Sequence, residues 1–76
     1  MIRITYFREK CIGCGVCSEI APFRWRMSKK DGKSTLLQGK KTNNFFQIVV
    51  DDDELKDNAL AADNCPVNII RIESVK

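Results

Sequence analysis

The sequence predicts one small domain spanning residues 1–76, built of mixed strands and helices and held together by sulfur rather than by a large core. Three observations lead there. The chain has 76 residues, and a chain of that size buries only about 60% of its unfolded surface, so a core alone rarely suffices. It contains four cysteines and no histidine, which makes sulfur the available staple. Strand-like segments at both ends bracket a helix-like segment between them. The composition is 43% apolar and 30% charged, within the range of ordinary soluble globular chains and against disorder.

The elements follow in order. Ile2, Ile4 and Tyr6 alternate with Arg3, Thr5 and Phe7, the period of a strand with one buried face. Residues 10–17 form a loop rich in Gly and Cys. Val16 to Ala21 suits a short helix that Pro22 stops. Phe23 to Met27 and Ser34 to Leu37 read as a hairpin around Asp31-Gly32, a turn signal. Gly39 to Asn44 is polar and basic, the stretch expected to be least structured. Phe45 to Val50 is an apolar run, either a strand or a packed connector. Asp51 with Glu54 three residues on suggests a capping box, opening a helix that faces inward through Leu55, Ala59 and Ala62. Val67 to Ile72 is the closing strand, with Ile70 and Ile72 inward and Arg71 and Glu73 outward.

The chemistry lies in Cys11-Ile12-Gly13-Cys14-Gly15-Val16-Cys17, with Cys65-Pro66 far along the chain. Three cysteines spaced by two residues can wrap one iron–sulfur cluster, each thiolate reaching a different iron. Gly13 and Gly15 suit such a curl, because they accept positive φ and let the backbone approach closely. The curled loop then aims N–H groups at the sulfurs. The fourth iron needs a thiolate from elsewhere, and Cys65 is the cysteine that remains.

Rival readings fit less well. The segment Met1 to Tyr6 lacks the apolar run of a secretory signal, so a cytoplasmic location with reduced thiols is expected, against two disulfides. Structural zinc favours two Cys-x2–4-Cys pairs approaching one ion from opposite sides, not a triplet plus a lone Cys-Pro. A [3Fe–4S] cluster is favoured where the middle cysteine is missing, and Cys14 is present. One [4Fe–4S] cluster on Cys11, Cys14, Cys17 and Cys65 is therefore the expected cofactor.

At these residues the chain resembles the bacterial-type ferredoxin family, whose signature is C-x2-C-x2-C-x3-C-P. Here Ser18-Glu19-Ile20 fills the x3, and Ala21 stands where the fourth cysteine would be, followed by Pro22. With no second triplet near Cys65, the resemblance is to the single-cluster [4Fe–4S] members, and it spans nearly the whole chain. It implies a small α+β fold with pseudo-two-fold symmetry, paired terminal strands, a short hairpin and two helices. It also implies a low-potential one-electron carrier. Two features depart from the family. Many members are strongly acidic, whereas this chain has a formal net charge of +3. The stretch from Gly39 to Phe46 is longer than a minimal single-cluster member needs.

The charge is unevenly spread. Residues 1–44 hold ten Lys or Arg against Glu9, Glu19 and Asp31, leaving +7, and residues 45–76 hold three against seven acids, leaving −4. Lys10 lies in the basic half beside Cys11. Asp51 to Glu54 offer either a docking patch or favourable charge at a helix start. Tyr6, Phe23 and Trp25 read as core and hairpin packing rather than as a shield for the cluster, and Ile12 and Val16 as cover between ligands. No acid–base pair, nucleophile or phosphate loop appears, so an electron carrier is expected rather than an enzyme. Its partners would be redox enzymes, not nucleic acid or membrane, and it would act as a monomer. The alternatives are a small electron-transfer subunit of a larger oxidoreductase and a nucleic-acid-binding module with a structural cluster. Dispersed lysines without a recognition motif argue against the second.

Overall fold

The computed structural model describes residues 1–75. Strand β1 (Ile2–Tyr6) leads into a 3₁₀ turn at Arg8–Lys10 and helix α1 (Val16–Ile20). The hairpin strands β2 (Trp25–Met27) and β3 (Ser34–Leu36) follow, then β4 (Lys40–Thr42) and β5 (Phe45–Val50). A 3₁₀ turn at Asp52–Glu54 opens helix α2 (Leu55–Asp63), and β6 (Ile70–Ser74) closes the chain. This is the expected small α+β architecture.

The larger sheet has strand order β4-β5-β1-β6, and β2 and β3 form a separate hairpin. The terminal strands lie side by side and antiparallel, as the resemblance implies, with Ile4 opposite Ile72 and Tyr6 opposite Ile70. The two-residue alternation of β1 puts Ile2, Ile4 and Tyr6 on one face, where all three are buried. That face packs with Cys17 and Ala21 from the α1 region, Trp25, Leu36, Val50, Ala61, Ile69 and Ile70. Tyr6 and Trp25 meet edge to face, ring centroids 4.8 Å apart, the arrangement that aromatic quadrupoles favour.

Several expectations need correction. Gly39 to Asn44 is not the least structured stretch, because Lys40 to Thr42 pair with Phe45 to Gln47. All three residues of β4 are exposed, so no apolar alternation marks the strand. Its turn is made by Asn43 at φ 44°, a left-handed conformation that asparagine tolerates better than most residues. Phe45 to Val50 is a strand, not a connector. The closing strand starts at Ile70, after Asn68 takes φ 54°.

The capping box does not form. Asp51 makes no side-chain cap, and Asp52 instead holds the Met1 amine at 2.8 Å. The Glu54 carboxylate accepts Arg24 Nε and Nη2, each at 2.9 Å. The inward face of α2 is turned toward Asn58 and Ala61, with Ala62 partly buried against the core as expected, whereas Leu55 is exposed. The buried indole of Trp25 accounts for the rotation, since it donates Nε1–H to Asn58 Oδ1 at 2.8 Å. Asn58 Nδ2 in turn donates to Glu54 O at 2.8 Å, so a polar residue occupies the centre of the helix interface fully paired. Phe23, expected to pack, is 49% exposed. Among the described residues, no helix is long and apolar enough to cross a membrane.

Candidate metal centre

All four cysteines are free thiols, and all four line one hollow of about 320 Å³ including its mouth. Two separate stretches of chain build it. The loop before α1 supplies Cys11 and Cys14, and α1 itself supplies Cys17 from its first turn. Cys65 arrives from the other direction, just past the end of α2. There Asn64 N–H and Cys65 N–H bond Leu60 O and Ala62 O at 3.1 and 3.3 Å.

The loop curls as its glycines allow. Gly13 and Gly15 have φ of 76° and 79°, where an L side chain would be strained. Gly13 has a second reason to lack a side chain, because a Cβ there would collide with Gly32 O in the hairpin turn. Two further contacts strap that turn to the loop. The Arg8 guanidinium donates to both Asp31 carboxylate oxygens at 2.6 and 3.0 Å, and Lys33 Nζ donates to Glu9 O at 2.8 Å.

The sulfurs sit in graded surroundings. Cys17 is buried, Cys11 and Cys65 are half-buried, and Cys14 is exposed. Burial pushes the Cys11 thiol up, but N–H groups of Ser34 and Gly13 at 3.5 and 3.4 Å and the nearby Tyr6 hydroxyl outweigh it. The net effect lowers the Cys11 pKa. Burial dominates at Cys17 and raises its pKa, against the Ser34 hydroxyl 3.0 Å away. Tyr6 is raised well above the ordinary phenol range, by burial first and by neighbouring Cys11 second. The walls are otherwise apolar, from Ile12, Val67, Ile69 and Ile70.

Ile12 therefore borders the hollow as expected, while 64% of it faces solvent; Val16 does not line it. Of the aromatic residues, Tyr6 does so and Phe23 and Trp25 do not. Lys10 is exposed beside Cys11. Ser34 was not singled out by the sequence, since a serine opening a hairpin strand carries no signal of its own. Its contact with two cysteines depends on the strap, which only the folded chain reveals.

Sulfur donors around a mostly apolar hollow, with backbone N–H groups aimed at them, suit a soft metal group of negative charge. Among the described residues, no three His, Cys, Asp or Glu side chains converge tightly enough to hold one metal ion. Four cysteine sulfurs gathered around one hollow fit a polynuclear group, in which each would bind its own metal.

Comparison with known proteins agrees with that chemistry. Residues 4–72 match the family described as a 4Fe-4S single cluster domain. A ferredoxin from Thermococcus litoralis is 31% identical over 72 residues, covering 95% of this chain and all of the relative. The structure of wild-type Hydrogenobacter thermophilus ferredoxin 1 superposes with a TM-score of 0.77 at 19% identity, over 99% of this chain and all of that one. A [3Fe-4S] ferredoxin associated with CYP194A4 from R. palustris HaA2 gives a TM-score of 0.69 at 28% identity, over 95% of this chain and 97% of that one.

Proposed function

Since the chain belongs to the 4Fe-4S single cluster domain family and is an iron–sulfur electron carrier, we propose that it holds one [4Fe–4S] cluster on Cys11, Cys14, Cys17 and Cys65. The observation that carries the assignment is the single hollow lined by all four cysteines. Four thiolates match four irons one for one, and the middle cysteine of the triplet, whose loss favours a [3Fe–4S] cluster, is present. When bound, such a cluster accepts and returns one electron without making or breaking a bond to a substrate.

This chain's own residues shape that exchange. The N–H groups of Gly13 and Ser34 point at Cys11 Sγ, and hydrogen bonds of this kind stabilise negative charge on sulfur. Tyr6, Ile69 and Ile70 close the buried side, whereas Cys14 and Ile12 open to solvent. Electrons would enter and leave on that open side, where a partner can approach. The role that follows is low-potential shuttling between cytoplasmic redox enzymes, by a monomer whose 76 residues act as one domain. Lys10 stands exposed next to Cys11, so the partner surface facing it would be acidic, the reverse of an acidic ferredoxin's dock.

Anaerobic purification from iron-replete cells tests the assignment. Iron and sulfide should be present at four each per chain, with a brown colour that partly bleaches on reduction and a paramagnetic signal after one electron. Three irons per chain, with a paramagnetic oxidised state, would favour a [3Fe–4S] cluster. Stoichiometric zinc would end the iron–sulfur reading altogether.

A further inference from the structure

We propose that Ser34 sets the reduction potential of the cluster, by donating its hydroxyl to Cys17 Sγ and its backbone N–H to Cys11 Sγ. The inference rests on the reading of these cysteines as cluster ligands. Ser34 opens β3, is 1% exposed, and lies far from both cysteines in sequence. Its Oγ is 3.0 Å from Cys17 Sγ and its N is 3.5 Å from Cys11 Sγ. Its carbonyl accepts the Tyr6 hydroxyl at 2.7 Å, and β2 pairs it with Met27. The residue is thus held from both sides with little freedom to turn away.

The direction of the hydroxyl follows from the chemistry. Among the described residues, Cys17 is the one side-chain or backbone partner of Ser34 Oγ. A free thiol can donate to that oxygen, but a thiolate bound to iron has no proton to give. A buried hydroxyl left without a partner is costly, so in the loaded protein Ser34 must donate to Cys17. One electron entering the cluster increases the negative charge on its sulfurs, and a donor to sulfur strengthens as that charge grows. The hydroxyl keeps its proton in both states. It favours the reduced state and so raises the potential.

Potentiometric titration of loaded protein tests this. Ser34→Ala, which keeps the backbone donor and removes the hydroxyl, should hold its iron and sulfide and shift the midpoint to a more negative value. Ser34→Thr and Ser34→Val form a second pair of closely matched shape that differs in the hydroxyl. The threonine variant should sit above the valine variant, and this pair decides the matter if the alanine variant fails to load. Pulsed paramagnetic resonance of the reduced parent in deuterated water should show an exchangeable deuteron near the cluster that Ser34→Val lacks. Fully loaded threonine and valine variants with equal midpoints would overturn the role of Ser34 and leave the cluster assignment intact. A parent protein without iron would overturn the cluster assignment itself.

Discussion

Asn58 shows how much one buried polar residue can weigh in so small a core. It is fully buried, accepts the Trp25 indole N–H and donates to Glu54 O. Asn58→Ala removes both bonds and leaves the indole unpaired, a loss of about 1–3 kcal/mol. In a domain of this length each kcal/mol lowers Tm by about 4–8 °C, so thermal melting of the loaded protein should fall on the order of 10 °C. Asn64 also bonds a helix carbonyl, Leu60 O at 2.8 Å, but in solvent. Asn64→Ala should therefore move Tm by no more than a few degrees. Equal effects of the two substitutions would mean that burial at Asn58 does not decide the outcome. At this scale the sequence was partly legible. The cysteines announced themselves by spacing, and Tyr6 by alternation. Asn58 and Ser34 did not, because each takes its weight from a partner more than fifteen residues away, Trp25 and Cys17 respectively, and single-chain periodicity carries no record of such pairs.

Among the elements, the hairpin turn and the cysteine loop are joined by charge as well as by shape. Hydrogen bonds from Arg8, then from Lys33 N–H, bring the Asp31 carboxyl from the usual 3.8 down to about 2. A folded-state pKa below the unfolded one means that the contribution to stability is full above about pH 4 and lost as pH falls through about 2. Both side chains are partly exposed, so the effect is modest and weakened by salt. Parent protein should out-melt Asp31→Asn near neutral pH, and the gap should narrow steadily below about pH 4. A gap that stays constant down to about pH 2.5 would show that the charge on Asp31 is not the stabilising feature. β1 could be read from its alternation, and the hairpin from its Asp31-Gly32 turn. β4 could not, because nothing on it is buried, and the capping box before α2 was misread because the Glu54 carboxylate is taken by Arg24 from the hairpin.

For the whole molecule, Cys65 bears on stability because it lies just past the end of α2 and faces the same hollow as a loop near the other end of the chain. A bound group spanning Cys65 and the triplet would contribute its binding energy to folding. Cys65→Ala should therefore lower both iron retention and Tm, read by metal analysis and melting under anaerobic conditions. Full iron with an unchanged Tm would remove Cys65 from the ligand set. The uneven charge acts at longer range. Rim charges alter association rate more than affinity, so Lys10→Glu should slow reduction by a native partner at low salt, and the defect should shrink as salt rises. If neutralising Asp52 and Asp53 slows transfer while Lys10→Glu does not, the acidic stretch is the dock.

The outermost strand β4 has one further consequence. A sheet ordered β4-β5-β1-β6 ends in two rows of unpaired backbone groups, and such rows invite another chain to extend the sheet into an aggregate. On β4 that invitation is met by Lys40 and Lys41, both exposed. A second copy aligning there would bring lysine against lysine and strip water from each. The basic stretch that had looked like surplus length thus acts as a guard rail on the sheet's open margin, discouraging crowded copies from polymerising edge to edge.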